Sequence, residues 1–161
     1  MFRFNYEDNC VGEAQQVSEY KARLDGIFHT DPNLEYTVVE LEGEPGRDFG
    51  WLPLEPRSIA RDERINIIQH AGERAKQVSI QNNFVEYVGG DVVQYLTSTL
   101  PGSSGSRVLN DHWEVIALHH AGGNRREPTS QRRYFRNENI LIGKMLDNLP
   151  NGLVEQINSA S

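Results

Sequence analysis

The stretch TLPGSSGSRVLNDHWEVIALHHAGG, residues 99–123, sets a glycine–serine knot in front of two apolar, β-branched runs. RVLN and WEVIALHH read as strands, and the polar NDHW stretch between them reads as a turn. The knot, Leu100 to Ser106, poses a chemical question. A nucleophilic serine needs a base, a group that orients the base, and backbone N–H donors for the oxyanion. Gly102, two residues before Ser104, can turn its N–H toward a substrate carbonyl, and Gly105 just after it leaves the substrate room. Ser104 is therefore the candidate nucleophile. The α/β-hydrolase elbow G-x-S-x-G does not fit, because position 106 is serine. By spacing alone the cluster is also compatible with an ordinary Gly/Ser turn.

Outward from this stretch the pattern stays the same. FRFNY, EYTVVELE, INIIQH, KQVSI, NFVEYV and DVVQYLT are short β-type runs separated by turn residues. Gly43-Glu44-Pro45-Gly46 is a turn cluster, and Gly89-Gly90-Asp91 is a hairpin signal. Many short strands at close spacing predict an all-β barrel or sandwich. ILIGKMLDNL, residues 140–149, carries a helical stripe and predicts one closing helix, with a restart after Pro150. WLPLEPRS, residues 51–58, holds two prolines and suits a connector.

The 161 residues suffice for a sizeable core, and 37% hydrophobic with 24% charged residues is a globular composition. A net charge of −7 speaks against a nucleic-acid partner. No apolar run approaches the roughly 20 residues of a membrane span, so no membrane association is expected. No signal peptide is visible at Met1, which favours a cytoplasmic location unless a leading segment is missing. Cys10 is the only cysteine and excludes an internal disulfide. No cofactor is implied, and the oligomeric state is not readable.

Residues 99–123 resemble the nucleophile region of trypsin-like (chymotrypsin-fold) serine peptidases, in their bacterial glutamyl-endopeptidase-like branch. That branch shows G-x-S-G-S-P-V, a turn, and a strand ending in an ALHHAG-type segment. INIIQHAGERAKQVSI is similar to its IIQHPGGEPKQ stretch, LEYTVVELEG to its LDYTVVEL stretch, and YFRNENILIGKML to its last strand and helix. The resemblance runs in order over about positions 2 to 149. It implies Ser104 as nucleophile and the N–H groups of Gly102 and Ser104 as the oxyanion hole. Glu35 occupies the aspartate position of the triad, with Asp31 as fallback. Arg107 replaces the usual proline, a departure expected to reshape the strand after the nucleophile.

In this family the order is histidine, acid, serine, and the histidine lies in a T-N-x-H-V-like motif that the chain lacks. The expectation is a chain that starts after the catalytic histidine and so lacks the first N-terminal strands. Of the histidines present, His29 is six residues before Glu35, too close for the family spacing. His70 does not match the base, and His112 sits in a turn. His119 and His120 end the strand that lines the substrate cleft in this family. Alternation along a strand would aim one into the cleft and the other into the wall. A metal site of His112, His119 and His120 lacks supporting carboxylate or cysteine spacing, so no metal is expected. Ser98, six before the nucleophile, would floor the primary pocket and does not favour Arg or Lys. A cleft histidine could favour an acidic side chain, as in glutamyl endopeptidases. The arginines between Arg125 and Arg136 read as a solvated loop or an anion-binding patch.

The expectation is thus an all-β, trypsin-like double Greek-key β-barrel. Residues 1–53 form a partial N-terminal barrel, 54–149 a C-terminal barrel with its closing helix, and 150–161 a tail. The resemblance implies a serine endopeptidase acting on peptide or protein substrates through Ser104 and Glu35. Ser98, His119 and His120 would line the substrate site. The chain by itself would be inactive or nearly so. The alternative is a non-catalytic pseudoprotease that binds peptides or acts as a scaffold.

Overall fold

The computed structural model describes residues 1–81, 83–96 and 99–159. It divides into two compact units, Met1–Trp51 and Leu52–Ser161. The first unit contains two small antiparallel ribbons. β1 (Phe2–Phe4) pairs with β2 (Ser18–Tyr20), and β3 (Phe28–Asp31) pairs with β4 (Tyr36–Val39). A short helix, α1 (Pro45–Phe49), follows where the sequence suggests only a turn; Pro45 suits its first turn. Its Phe49 stacks on Phe4 at 5.1 Å between ring centroids, and Tyr20 meets Phe4 edge-on. The Tyr20 hydroxyl donates to Asp48 at 2.8 Å, which ties the helix to β2.

The second unit is built on one seven-stranded antiparallel sheet. Its strands are β5 (Asn66–Gln69), β6 (Gln77–Ser79), β7 (Val85–Gly89), β8 (Val92–Tyr95), β9 (Arg107–Leu109), β10 (Val115–Arg126) and β11 (Arg133–Leu141). Their spatial order is β6-β5-β9-β10-β11-β8-β7. Period-two alternation puts Ile65, Ile67, Val85, Val93, Tyr95 and Val108 on one face, where they meet Ile116 and Ala117 as a single buried cluster. Register fixes that layer: Ile67 lies opposite Val108, and Val108 opposite Ala117. Each such aliphatic side chain contributes about 1.5–3 kcal/mol by leaving water. The expected β7–β8 hairpin is present, with Gly90 at φ +63° in its turn.

The fold is mostly β, as expected, but the expected barrel is not closed. β6 and β7 end the sheet without pairing to each other. The sheet bends back on itself through backbone bonds from Ile65 to Asn83 and from Val85 to Glu63, with a single bridge between Arg64 and Phe84. The closing helix also begins later than its stripe suggests. Ile140 and Leu141 stay in β11, opposite Leu118 and Ala117, because ladder pairing outweighs the local helical period. α2 (Ile142–Asn148) packs on β10 and β11 with Ile142 and Met145 buried. Pro150 then starts α3 (Asn151–Ser159), which anchors at Leu153 in the segment read as a tail.

Candidate active site

The knot between Leu100 and Ser106 is a tight loop that enters β9. The two adjacent serines part company there. Ser103 is 1% exposed, and its hydroxyl donates to Gln69 Oε1 at 2.8 Å; Ser104 is exposed. The loop's amides divide in the same way. Those of Ser103 and Ser106 donate to Leu100 O and Ser103 O, and that of Gly105 to His119 O at 2.7 Å. The amides of Gly102 and Ser104 have no acceptor among the described residues. Gly102, at φ +95°, and Gly105, at φ +78°, supply the left-handed turns that this alternation requires.

A brace holds the loop from behind, and sequence reasoning assigned it no role. The segment after β5 runs through a 3₁₀ turn, Ala71–Glu73. Its Gly72 amide donates to Pro101 O at 2.8 Å, and a Cβ on Gly102 would meet His70 O at 3.0 Å and Glu73 N at 3.1 Å. Gln69, which receives Ser103, also donates to Ser79 Oγ at 2.8 Å. The only sequence signal for this brace was the similarity of the IIQHAG stretch to the family pattern.

Ser104 lines a cleft of about 590 Å³ together with Leu100, His119, His120, Phe135 and Asn137. Both histidines therefore reach the cleft, where simple alternation allowed one. A bulge in β10 explains it: the β10–β11 register shifts between His119 and Ala121, so His120 is the inserted residue. The two rings have different partners. His119 is 5% exposed, and its Nδ1 lies 3.1 Å from Asn139 Oδ1. That oxygen also accepts the Tyr95 hydroxyl at 3.0 Å. An amide oxygen only accepts, so His119 carries its proton on Nδ1. Burial holds the His119 ring below the ordinary histidine value; the bond to Asn139 opposes this, and His120 and Arg125 add to it. His120 Nε2 instead faces Glu138 Oε1 at 3.3 Å. Glu138 also accepts from Gln94 Nε2 at 2.7 Å. The His120 ring, then Gln94, holds the Glu138 carboxyl below its usual value against the opposing effect of burial. A third polar pair crosses the cleft wall: Thr99 Oγ1 donates to Asn137 Oδ1 at 2.7 Å.

The remaining sequence candidates are placed as follows. Glu35 lies in the first unit, exposed, in the turn between β3 and β4 at φ +51°. Asp31 caps that turn, accepting the amides of Asn33 and Leu34 at 2.7 and 2.9 Å. His29 Nε2 pairs with the Tyr36 hydroxyl at 3.3 Å. His70 Nδ1 donates to Arg74 O at 3.0 Å, and His112 is exposed in the β9–β10 turn. Ser98 lies outside the described residues. Arg107 opens β9 and pairs on both sides, opposite Ile68 and Leu118, so the strand runs through the position where proline was expected. No group of three metal-ligating side chains occurs among the described residues, and no described helix is long and apolar enough to cross a membrane.

Comparison with known proteins agrees with this fold. The trypsin-like peptidase domain family matches residues 7–118. An uncharacterized protein of Sinorhizobium fredii, y4fB, is 34% identical over 138 residues, covering 74% of this chain and 20% of its own length. The secreted RxLR effector protein 73 of Plasmopara viticola is 31% identical over 127 residues, covering 71% of this chain and 31% of its own. The chain thus spans a fifth to a third of these relatives. Among solved structures, a Glu endopeptidase shares the fold with a TM-score of 0.56 at 16% identity, over 89% of this chain and 62% of that one. The family match covers well over half of the sequence, including the Ser104 loop and β9, and the chain belongs to the trypsin-like peptidase domain family.

Proposed function

We propose that this domain carries the nucleophile and substrate cleft of a serine endopeptidase of the glutamyl-endopeptidase-like branch. The observation that carries the reading is the nucleophile loop. Ser104 is exposed in the cleft, and the two amides without an acceptor, Gly102 and Ser104, are those an oxyanion hole would use. Ser104 Oγ attacks the scissile carbonyl and forms an ester, its proton passing to a histidine. That histidine protonates the departing amine, and water then cleaves the ester. None of the five histidines here is assigned as that base, because each has a competing partner or an unsuitable position; the family pattern puts the base in an N-terminal motif and gives Glu35 as its orienting acid. The greater length of the curated relatives is compatible with that.

The cleft also suits a peptide backbone. β9 pairs with β10 only as far as Leu118, while β10 continues to Arg126. An extended substrate can add along Ala121–Gly123, where two glycines allow close approach. The cleft histidines favour an acidic side chain before the scissile bond. The test is labelling of the protein, expressed from its own locus, with a fluorophosphonate, alongside cleavage of a peptide library. A label on Ser104 with cleavage supports the endopeptidase. Peptide binding without label supports the second reading, a peptide-binding module, which is favoured by the engagement of His119 and His120 with Asn139 and Glu138.

A further inference from the structure

The β10–β11 hairpin runs on past the cleft, and the two faces of its outer half differ in charge. Alternation puts Arg125, Tyr134 and Arg136 on one face, all half-buried. There Glu127 accepts from Arg136 and from the Ser130 hydroxyl, each at 2.6 Å, and the Arg136 guanidinium lies 4.2 Å from the Tyr134 ring centre. The opposite face is exposed and carries Asn124, Arg126, Arg133 and Phe135. Arg126 stands directly opposite Arg133, and Asn124 opposite Phe135. Like charges directly opposite in an antiparallel pair repel. Both guanidiniums bond to backbone carbonyls: Arg126 Nε donates to Gln131 O at 3.4 Å and Arg133 Nη1 to Asn124 O at 3.3 Å. The chain has 23 acidic residues against 16 basic ones, yet among the described residues none pairs with Arg126 or Arg133. The backbone beneath them is fixed. The fully buried Gln94 donates from Nε2 to Arg126 O at 3.0 Å, and the Tyr87 hydroxyl meets Thr129 Oγ1 at 2.8 Å, which ties the tip to β7.

We propose that Arg126 and Arg133, with Arg132 at the tip, form a docking surface for an acidic segment of the polypeptide substrate, well to the amino-terminal side of the scissile bond. This rests on the reading of the cleft as a peptide site. Phe135, 82% exposed, lines the cleft and shares a face with the two arginines, so the surface continues the cleft wall. Neighbours in the seven-stranded sheet pair antiparallel throughout. A substrate that adds to the free edge of β10 in the same sense, with its scissile bond at Ser104, sends its amino-terminal residues toward Arg126. At about 3.3 Å per residue, the arginines meet residues roughly five to seven positions before the scissile bond. A guanidinium fork matches a carboxylate in bidentate geometry, and a carboxylate between two opposed forks relieves their repulsion. This contact lies away from the reacting atoms and does not use the cleft histidines. It therefore strengthens binding of substrate and transition state alike.

The experiment uses the full-length protein and fluorogenic peptides that share one cleavable core. The core is tested alone, with an amino-terminal extension rich in Glu and Asp, and with the same extension in Gln and Asn. The acidic extension should lower KM about fivefold or more relative to the amide extension, with kcat within about twofold. The gain should shrink as NaCl rises from about 50 to about 500 mM. Arg126→Glu and Arg133→Glu should each remove it while leaving the kinetics of the core peptide as in wild type. Lys144→Glu, the same charge change on α2, should leave the gain in place. If turnover is absent, the same comparison is read from binding of the labelled peptides. A stability readout stands apart from catalysis: Arg133→Gln should raise Tm by about 1–3 °C, because it removes the repulsion. Equal KM for the two extensions, a gain that survives both charge reversals, or a Tm that falls in Arg133→Gln overturns the proposal. So does tighter binding of a duplex oligonucleotide than of the acidic peptide, which would give the surface a different partner. A core peptide that reacts or binds with no gain from the acidic extension overturns the docking surface and leaves the peptide cleft intact. A core peptide that neither reacts nor binds removes the cleft reading, and the docking surface with it.

Discussion

The hydroxyl of Ser103 donates to Gln69 Oε1 at 2.8 Å, and this bond turns Ser103 into the wall and leaves its neighbour Ser104 to the cleft. Ser103→Ala removes a buried hydrogen bond and should cost about 1–2 kcal/mol of unfolding free energy. Ser104→Ala, at an exposed position, should stay within about 0.5 kcal/mol of wild type. Urea titration of the two variants checks the contrast; equal losses would mean that both serines are structural.

The glycines flanking Ser103 and Ser104 should differ as well. An alanine at Gly102 carries both the φ +95° strain and contacts of 3.0–3.1 Å with backbone atoms of the brace. At Gly105 it carries the φ +78° strain in open space. We expect Gly105→Ala to cost about 1 kcal/mol and Gly102→Ala about 2–3 kcal/mol. Thermal unfolding ranks them, and a reversed order would contradict the brace.

Acid should destabilise the fold before carboxylates titrate. Burial keeps His119 below the ordinary histidine value, so the unfolded chain binds its proton first as pH falls. The His119 contribution to stability is therefore full above about pH 6.5 and declines below it, at no more than about 1.4 kcal/mol per pH unit. Glu138, held below its usual value, adds a second loss at lower pH, in the carboxylate range. His119→Gln should flatten the first decline between pH 7 and 5.5, measured by urea unfolding. An unchanged slope would assign the acid sensitivity elsewhere.

Within the first unit every strand belongs to a two-stranded ribbon, so each has an unpaired edge. The amides of β1 to β4 should exchange faster with deuterium than those of β5, β9 and β10. Equal protection would show that the ribbons are stabilised by pairing not seen here.

The legible parts of the sequence were those governed by local rules. The short β-type runs INIIQH and DVVQYLT marked core strands, Gly89-Gly90-Asp91 marked a hairpin, and Gly102 and Gly105 marked a tight loop around Ser104. The rest depended on long-range pairing. The bulge that brings His120 into the cleft has no signature in ALHHAGG, because it exists only against the register of β11. Asn139, Tyr95, Glu138 and Gln94 read as ordinary strand residues until the ladder sets them behind the histidines. The helix start moved from Ile140 to Ile142 for the same reason: β10 and β8 claim Ile140 for the sheet.

The most direct test of the central claim is mass-spectrometric mapping of a fluorophosphonate adduct on the protein expressed from its own locus. The account predicts a single adduct on Ser104, lost in Ser104→Ala while Ser103→Ala retains it. A folded protein that binds peptide in the cleft yet leaves Ser104 unmodified would contradict the claim that Ser104 is a nucleophile.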